Sequence, residues 1–70
     1  MNKFIIELSS VPDRENLVAE IWHNEVLIAE INQENEKLEI EFYLTEKKIF
    51  ELEGLLEILK AAKKELIEDL

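Results

Sequence analysis

Apolar and polar residues alternate along Lys37-Leu38-Glu39-Ile40-Glu41-Phe42-Tyr43, whereas after residue 50 the apolar positions recur at steps of three and four: Leu52, Leu55, Leu56, Leu59, Ala62, Leu66 and Leu70. Alternation sends successive side chains to opposite faces of a strand, and the longer spacing lines one side of a helix. The chain therefore predicts an α+β fold. It is an antiparallel β-meander of four or five strands, with one C-terminal amphipathic helix packed on one face. Strands are expected at about 3–8, 17–22, 26–32 and 37–43 and the helix at about 51–69, all within a single domain spanning 1–70.

The connections follow from turn-forming residues. Ser9 to Asn16 collects serines, Pro12, Asp13 and Asn16, and reads as a loop between strands. His23-Asn24-Glu25 reads as a three-residue hairpin loop, because that length pairs Trp22 with Val26, Ile21 with Leu27, Ala19 with Ala29 and Leu17 with Ile31. A two-residue loop would mix Glu30 with Ile21 and Ile28, so the three-residue loop is preferred. Gln33-Glu34-Asn35-Glu36 is the next turn. Pairing Asn32 with Lys37 then sets Ile31 opposite Leu38, Ala29 opposite Ile40 and Leu27 opposite Phe42. Both hairpins bury the same face, a consistency expected of a foldable sheet.

Thr45 to Phe50 is open between a fifth strand and a first helical turn capped by Thr45. From Glu51 the helix is secure. Glu51, Glu53 and Glu57 precede Lys60, Lys63 and Lys64, an order that complements the helix dipole. Gly54 falls off the apolar stripe; close approach of a partner would explain it, and simple tolerance within the helix is the preferred reading.

Size bounds what this fold can do. A chain of 70 residues buries roughly 60% of its unfolded surface, so its stability depends on packing or self-association. It has no cysteine and a single histidine, so neither a disulfide nor a Cys/His zinc site can staple it. The apolar run Phe4-Ile5-Ile6 ends at Glu7, too short for a signal-peptide core, and no segment approaches the ~20 apolar residues of a membrane span. A cytoplasmic location is expected. Asp and Glu number 17 against 8 Lys and Arg, for a formal charge of −9. That field disfavours nucleic acid and anionic membranes as partners and favours encounter with a basic protein; its bland role is solubility.

Alternation also defines the sheet face away from the helix. Ile5, Val18, Trp22, Val26, Ile28 and Tyr43 fall there, interleaved with Glu7, Glu20, Glu30, Glu39 and Glu41. One helix covers one face only, so this second face is expected in solvent. A contiguous exposed apolar patch marks an interaction site, and Trp and Tyr serve as interface anchors. The candidate partner-binding residues are Trp22, Tyr43, Val26, Ile28, Glu20, Glu30, Glu39 and Glu41. The competing readings are a one-residue register slip that places Trp22 in the core and a homodimer built on this same face.

Catalytic and metal chemistry find little support. His23, with Glu25 nearby, reads as an exposed turn residue, and Ser9 and Ser10 have no base beside them. The pairs Glu39/Glu41 and Glu20/Glu30 could act as acid and base only in a cavity. Asp13 with Glu15, or Glu34 with Glu36, lacks the ligand number and glycine turn of a calcium loop. No phosphate-binding loop is present. No enzyme activity, cofactor or metal is expected.

The runs Ile21-Trp22-His23-Asn24, Ile28-Ala29-Glu30-Ile31 and Leu38-Glu39-Ile40-Glu41-Phe42-Tyr43 resemble short bacterial proteins of unassigned function. The plan, a strand meander followed by a Leu-rich helix, is similar to that of small acidic immunity and anti-defence proteins. The resemblance implies clamping onto a larger nuclease or nucleic-acid-binding protein, with acidic residues occupying its basic site as a nucleic-acid mimic. It transfers no active residue, because fold does not fix function. The expected function is thus a non-enzymatic, acidic protein-binding inhibitor. The alternative is a self-assembling structural homodimer that uses the exposed sheet face.

Overall fold

The computed structural model describes residues 3–10, 12 and 16–68. The Asp13/Glu15 oxygen pair and Leu70 of the helical stripe lie outside them. Four strands follow one another in the chain and in space: β1 (Phe4–Ser9), β2 (Val18–His23), β3 (Val26–Asn32) and β4 (Glu39–Phe42), in the order β1-β2-β3-β4 with every pair antiparallel. One helix, α1 (Leu52–Glu68), completes the α+β fold. Residues 45–50 are neither strand nor helix, and the fifth strand does not form. Ile49, whose apolar character favoured a strand, is 87% exposed.

The β2–β3 hairpin corrects the three-residue loop. Its turn holds two residues, Asn24 and Glu25, both at positive φ (48° and 70°), between a His23–Val26 pair. Two left-handed residues match the right-handed twist of the strands they join. Asn24 tolerates this conformation, and it is clamped to β1: its N–H donates to Lys3 O (2.9 Å), and its Oδ1 accepts from Lys3 N–H (3.0 Å). The mixing of faces that argued against a short loop is removed by a β-bulge. Trp22 pairs with Leu27, but Ile21 pairs with Ala29, so Ile28 is the extra residue. A bulge opposes two residues to one and leaves both on nearly the same side. Ile28 and Ala29 are accordingly both buried, at 1% and 0% exposure, in the core cluster. Ile28 therefore does not belong to the solvent face, and Leu27 falls on the side of Trp22 rather than in the core.

The β3–β4 register also differs, by two residues. Ile31 meets Ile40 and Ala29 meets Phe42. An even shift keeps every side chain on its expected face. Hydrogen bonds organise the longer connection: Asn32 Oδ1 accepts from Glu34 N–H (3.4 Å), and Asn35 Nδ2 donates to Glu39 Oε1 (2.7 Å). Gln33 Nε2 reaches back to Leu17 O (3.4 Å).

The core consists of Ala19, Ile21, Ile28, Ala29 and Ile31 from the sheet with Ala62 and Leu66 from the helix. We call this helix-bearing side the inner face. The helix lies over β1 and β2. Phe4, Ile6, Leu8, Leu17, Phe50, Ile58 and Leu59 pack around the core. The helical stripe is therefore turned relative to expectation. Ile58 packs inward, whereas Leu52 and Leu56 are 64% and 43% exposed. Glu51 caps the helix: its Oε1 accepts the Gly54 N–H (2.8 Å), satisfying one of the free amides of the first turn. A Cβ at Gly54 would lie 2.8 Å from that oxygen and 3.4 Å from Phe4 Cε2, so the glycine lies against β1 and beside the cap.

His23 is likewise not a loose turn residue. It ends β2 opposite Phe4, with its ring 4.7 Å from that of Phe4 and edge-on at 5.0 Å to Phe50. Aromatic contacts of this geometry add about 0.5–1.5 kcal/mol beyond burial. This cluster closes one end of the helix–sheet interface.

Candidate functional site: an acidic row across the open sheet face

On the outer face, the registers bring one glutamate from each strand into line. Glu7 pairs with Glu20, Glu20 with Glu30, and Glu30 with Glu41. Strands lie about 4.8 Å apart, so the row runs about 14 Å across the sheet. The sequence placed these glutamates on one face, but only the observed registers set them side by side. The expected pairings would have put Glu20 opposite Ile28.

Two aromatic side chains are tied into the row. Tyr43 donates its hydroxyl to Glu30 Oε1 (2.9 Å), and Trp22 Nε1 reaches Glu20 Oε1 (3.4 Å). Tyr43 remains 42% exposed and Trp22 half-buried. Beneath Tyr43, Glu30 is 5% exposed, unlike the exposed Glu7 and Glu41 at the ends of the row. Apolar residues flank the row where Ile5 pairs with Trp22, which pairs in turn with Leu27; Ile5 is 39% exposed. On the row's other side, Glu39 pairs with Asn32, which is buried.

The structure thus brings Trp22, Tyr43, Glu20, Glu30 and Glu41 together. Glu39 lies two residues from Glu41 along β4, and Val26, expected on this face, is exposed but pairs with His23 on the helix-bearing side, because the bulge at Ile28 shifts the hairpin end. Ile28 is in the core, as is clear from its burial, and Val18 of the expected patch is fully buried. The exposed apolar area of this face is therefore smaller, and its acidity more concentrated, than alternation alone implied. Glu7 is the residue missed among the candidates; its place opposite Glu20 depends on the β1–β2 register.

A second surface was not foreseen. The helix does not extend over β4, and an open groove of about 520 Å3 separates them, lined by Ile31, Leu38, Ile40 and Leu59 with Lys37 and Lys63 among its walls. Ile40 in this lining and Phe42 two residues along β4, both expected in the core, are 40% and 45% exposed.

Among the described residues, no group of three or more His, Cys, Asp or Glu is placed to hold a metal ion. No helix among them is long and apolar enough to cross a membrane. Comparison with family models, curated proteins and solved structures finds no match to the chain.

Proposed function

We propose that this chain is a non-enzymatic protein-binding module whose outer sheet face docks on a basic partner. The partner we infer is one that handles nucleic acid, inhibited when the acidic face covers its basic site. The observation that carries this reading is the in-register row Glu7–Glu20–Glu30–Glu41. Like charges directly opposite one another in a sheet destabilise it. A partner's lysines or arginines, set over the row, would relieve that repulsion on binding. Trp22 and Tyr43, already oriented by the same carboxylates, supply anchoring area beside the charge. The formal charge of −9 would speed the encounter at low ionic strength. The same row makes this face a poor contact for a second copy, because two acidic rows would meet.

The test separates a site from mere acidity, with an octa-arginine peptide as the basic probe. Glu20→Gln with Glu41→Gln removes the same charge as Glu57→Gln with Glu65→Gln on the helix. The row variant is expected to bind the peptide about tenfold more weakly than the helix variant, as local complementarity requires. Equal losses in the two variants would mean that net charge alone attracts the peptide.

A further inference from the structure

The free edge of β4 has two faces of opposite character, and together they specify a ligand. Tyr43 N–H donates to Ile28 O (2.8 Å), and the register continues from there through Phe42–Ala29 and Ile40–Ile31. In an antiparallel ladder, alternate residues direct their backbone groups to one neighbour. Glu39 and Glu41 therefore turn theirs toward β3, and Ile40 and Phe42 turn theirs to the open edge. All four β4 residues are exposed. On the inner side of the edge lies the groove whose apolar floor is Ile31, Leu38, Ile40 and Leu59, with Lys37, Glu39 and Lys63 at its margins; Phe42, two residues beyond Ile40 on the same side, is also exposed. On the outer side stand Glu39 and Glu41.

We propose that β4 accepts an extended segment of the partner protein as an added fifth strand, one in which apolar and basic residues alternate. The proposal deepens the acidic-face reading and rests on it for the charge of the partner. Backbone hydrogen bonds to Ile40 and Phe42 would give register-independent affinity, and the side chains would give selectivity, as in other strand additions. The segment's apolar residues fill the groove beneath the edge; its lysines or arginines lie over Glu39 and Glu41 and continue the outer row. Charge complementarity favours this occupant over a second copy of the chain. An antiparallel β4–β4 pair centred on Glu39, Ile40 or Glu41 would set a carboxylate against a carboxylate on the outer face.

Two synthetic peptides of identical composition test this, one alternating Val and Lys, the other with its valines and lysines in separate blocks. Binding is followed by amide hydrogen exchange on the isotope-labelled protein. The alternating peptide is expected to bind about tenfold more tightly and to slow exchange at Ile40 and Phe42 by about tenfold or more. In the Glu39→Lys, Glu41→Lys variant, preference should pass to an alternating Val/Glu peptide. Equal binding of both lysine peptides, with Ile40 and Phe42 unprotected, would overturn strand addition and leave the acidic-face reading standing. If neither peptide binds at low salt, both readings are overturned. Protection of Ile40 and Phe42 that rises with protein concentration in the absence of peptide would assign the edge to a second copy and overturn the proposal.

Discussion

In β2, Ala19 and Ile21 lie beneath the helix with no exposed surface; in β4, Ile40 and Phe42 point to the same side of the same sheet and stay 40% and 45% exposed. In each strand these two apolar residues flank a glutamate, and both pairs are directed inward. The difference is coverage. The helix crosses β1 and β2 and stops short of β4, so identical patterning yields core in one strand and an open groove wall in the other. Alternation assigns a residue to a face. What lies over that face is a property of the whole molecule.

Deleting methyl groups in the two strands gives the sharpest contrast. Ile21→Ala should cost about 2–5 kcal/mol, read as a fall in the urea midpoint, because it opens a cavity beneath the helix. Ile40→Ala, half in water already, should cost about 1 kcal/mol or less. Similar losses at the two positions would show that β4 is covered in solution. The helix offers a smaller version of the same comparison. Ala62 is fully buried against the sheet, and Lys63 faces the groove. Ala62→Leu should therefore destabilise by about 1–3 kcal/mol through overpacking, whereas Lys63→Leu leaves thermal stability nearly unchanged. The smallest effect concerns the outer face shared by both strands. Glu7→Lys turns a like-charge pair with Glu20 into an attractive one and should stabilise the fold by about 0.2–1 kcal/mol. The gain should shrink in high salt, where the native row is itself screened. A Glu7→Lys protein no more stable than the parent at low salt would show that the row carries no repulsion.

Much of this architecture was legible because its signals are local. The strand at 37–43 alternates without interruption, and the helix from Leu52 is written in a period that no strand shares. The registers were less legible. Val26-Leu27-Ile28-Ala29 is a continuous apolar run, so nothing in it marks Ile28 as the bulged residue; alternation cannot locate an insertion flanked by equally apolar neighbours. Asn24-Glu25 lacks the glycine that usually announces a two-residue turn. The helix carries more leucine and isoleucine than one contact face can hold, so spacing favoured Leu56 where the structure turns Ile58 inward. The candidate site shared this fate. Glu20, Glu30 and Glu41 were assigned to one face from the sequence, but their alignment into a row with Glu7 depends on three separate registers.

The sequence by itself therefore determined the elements, their order and the two chemical faces of the sheet, because the periods of strand and helix are imposed by backbone geometry. Only the tertiary structure decided that the glutamates stand in line, that Ile28 joins the core, and that β4 and the flank of the helix are left uncovered. Those outcomes depend on how one 17-residue helix settles on a sheet wider than itself, and no local pattern records that choice.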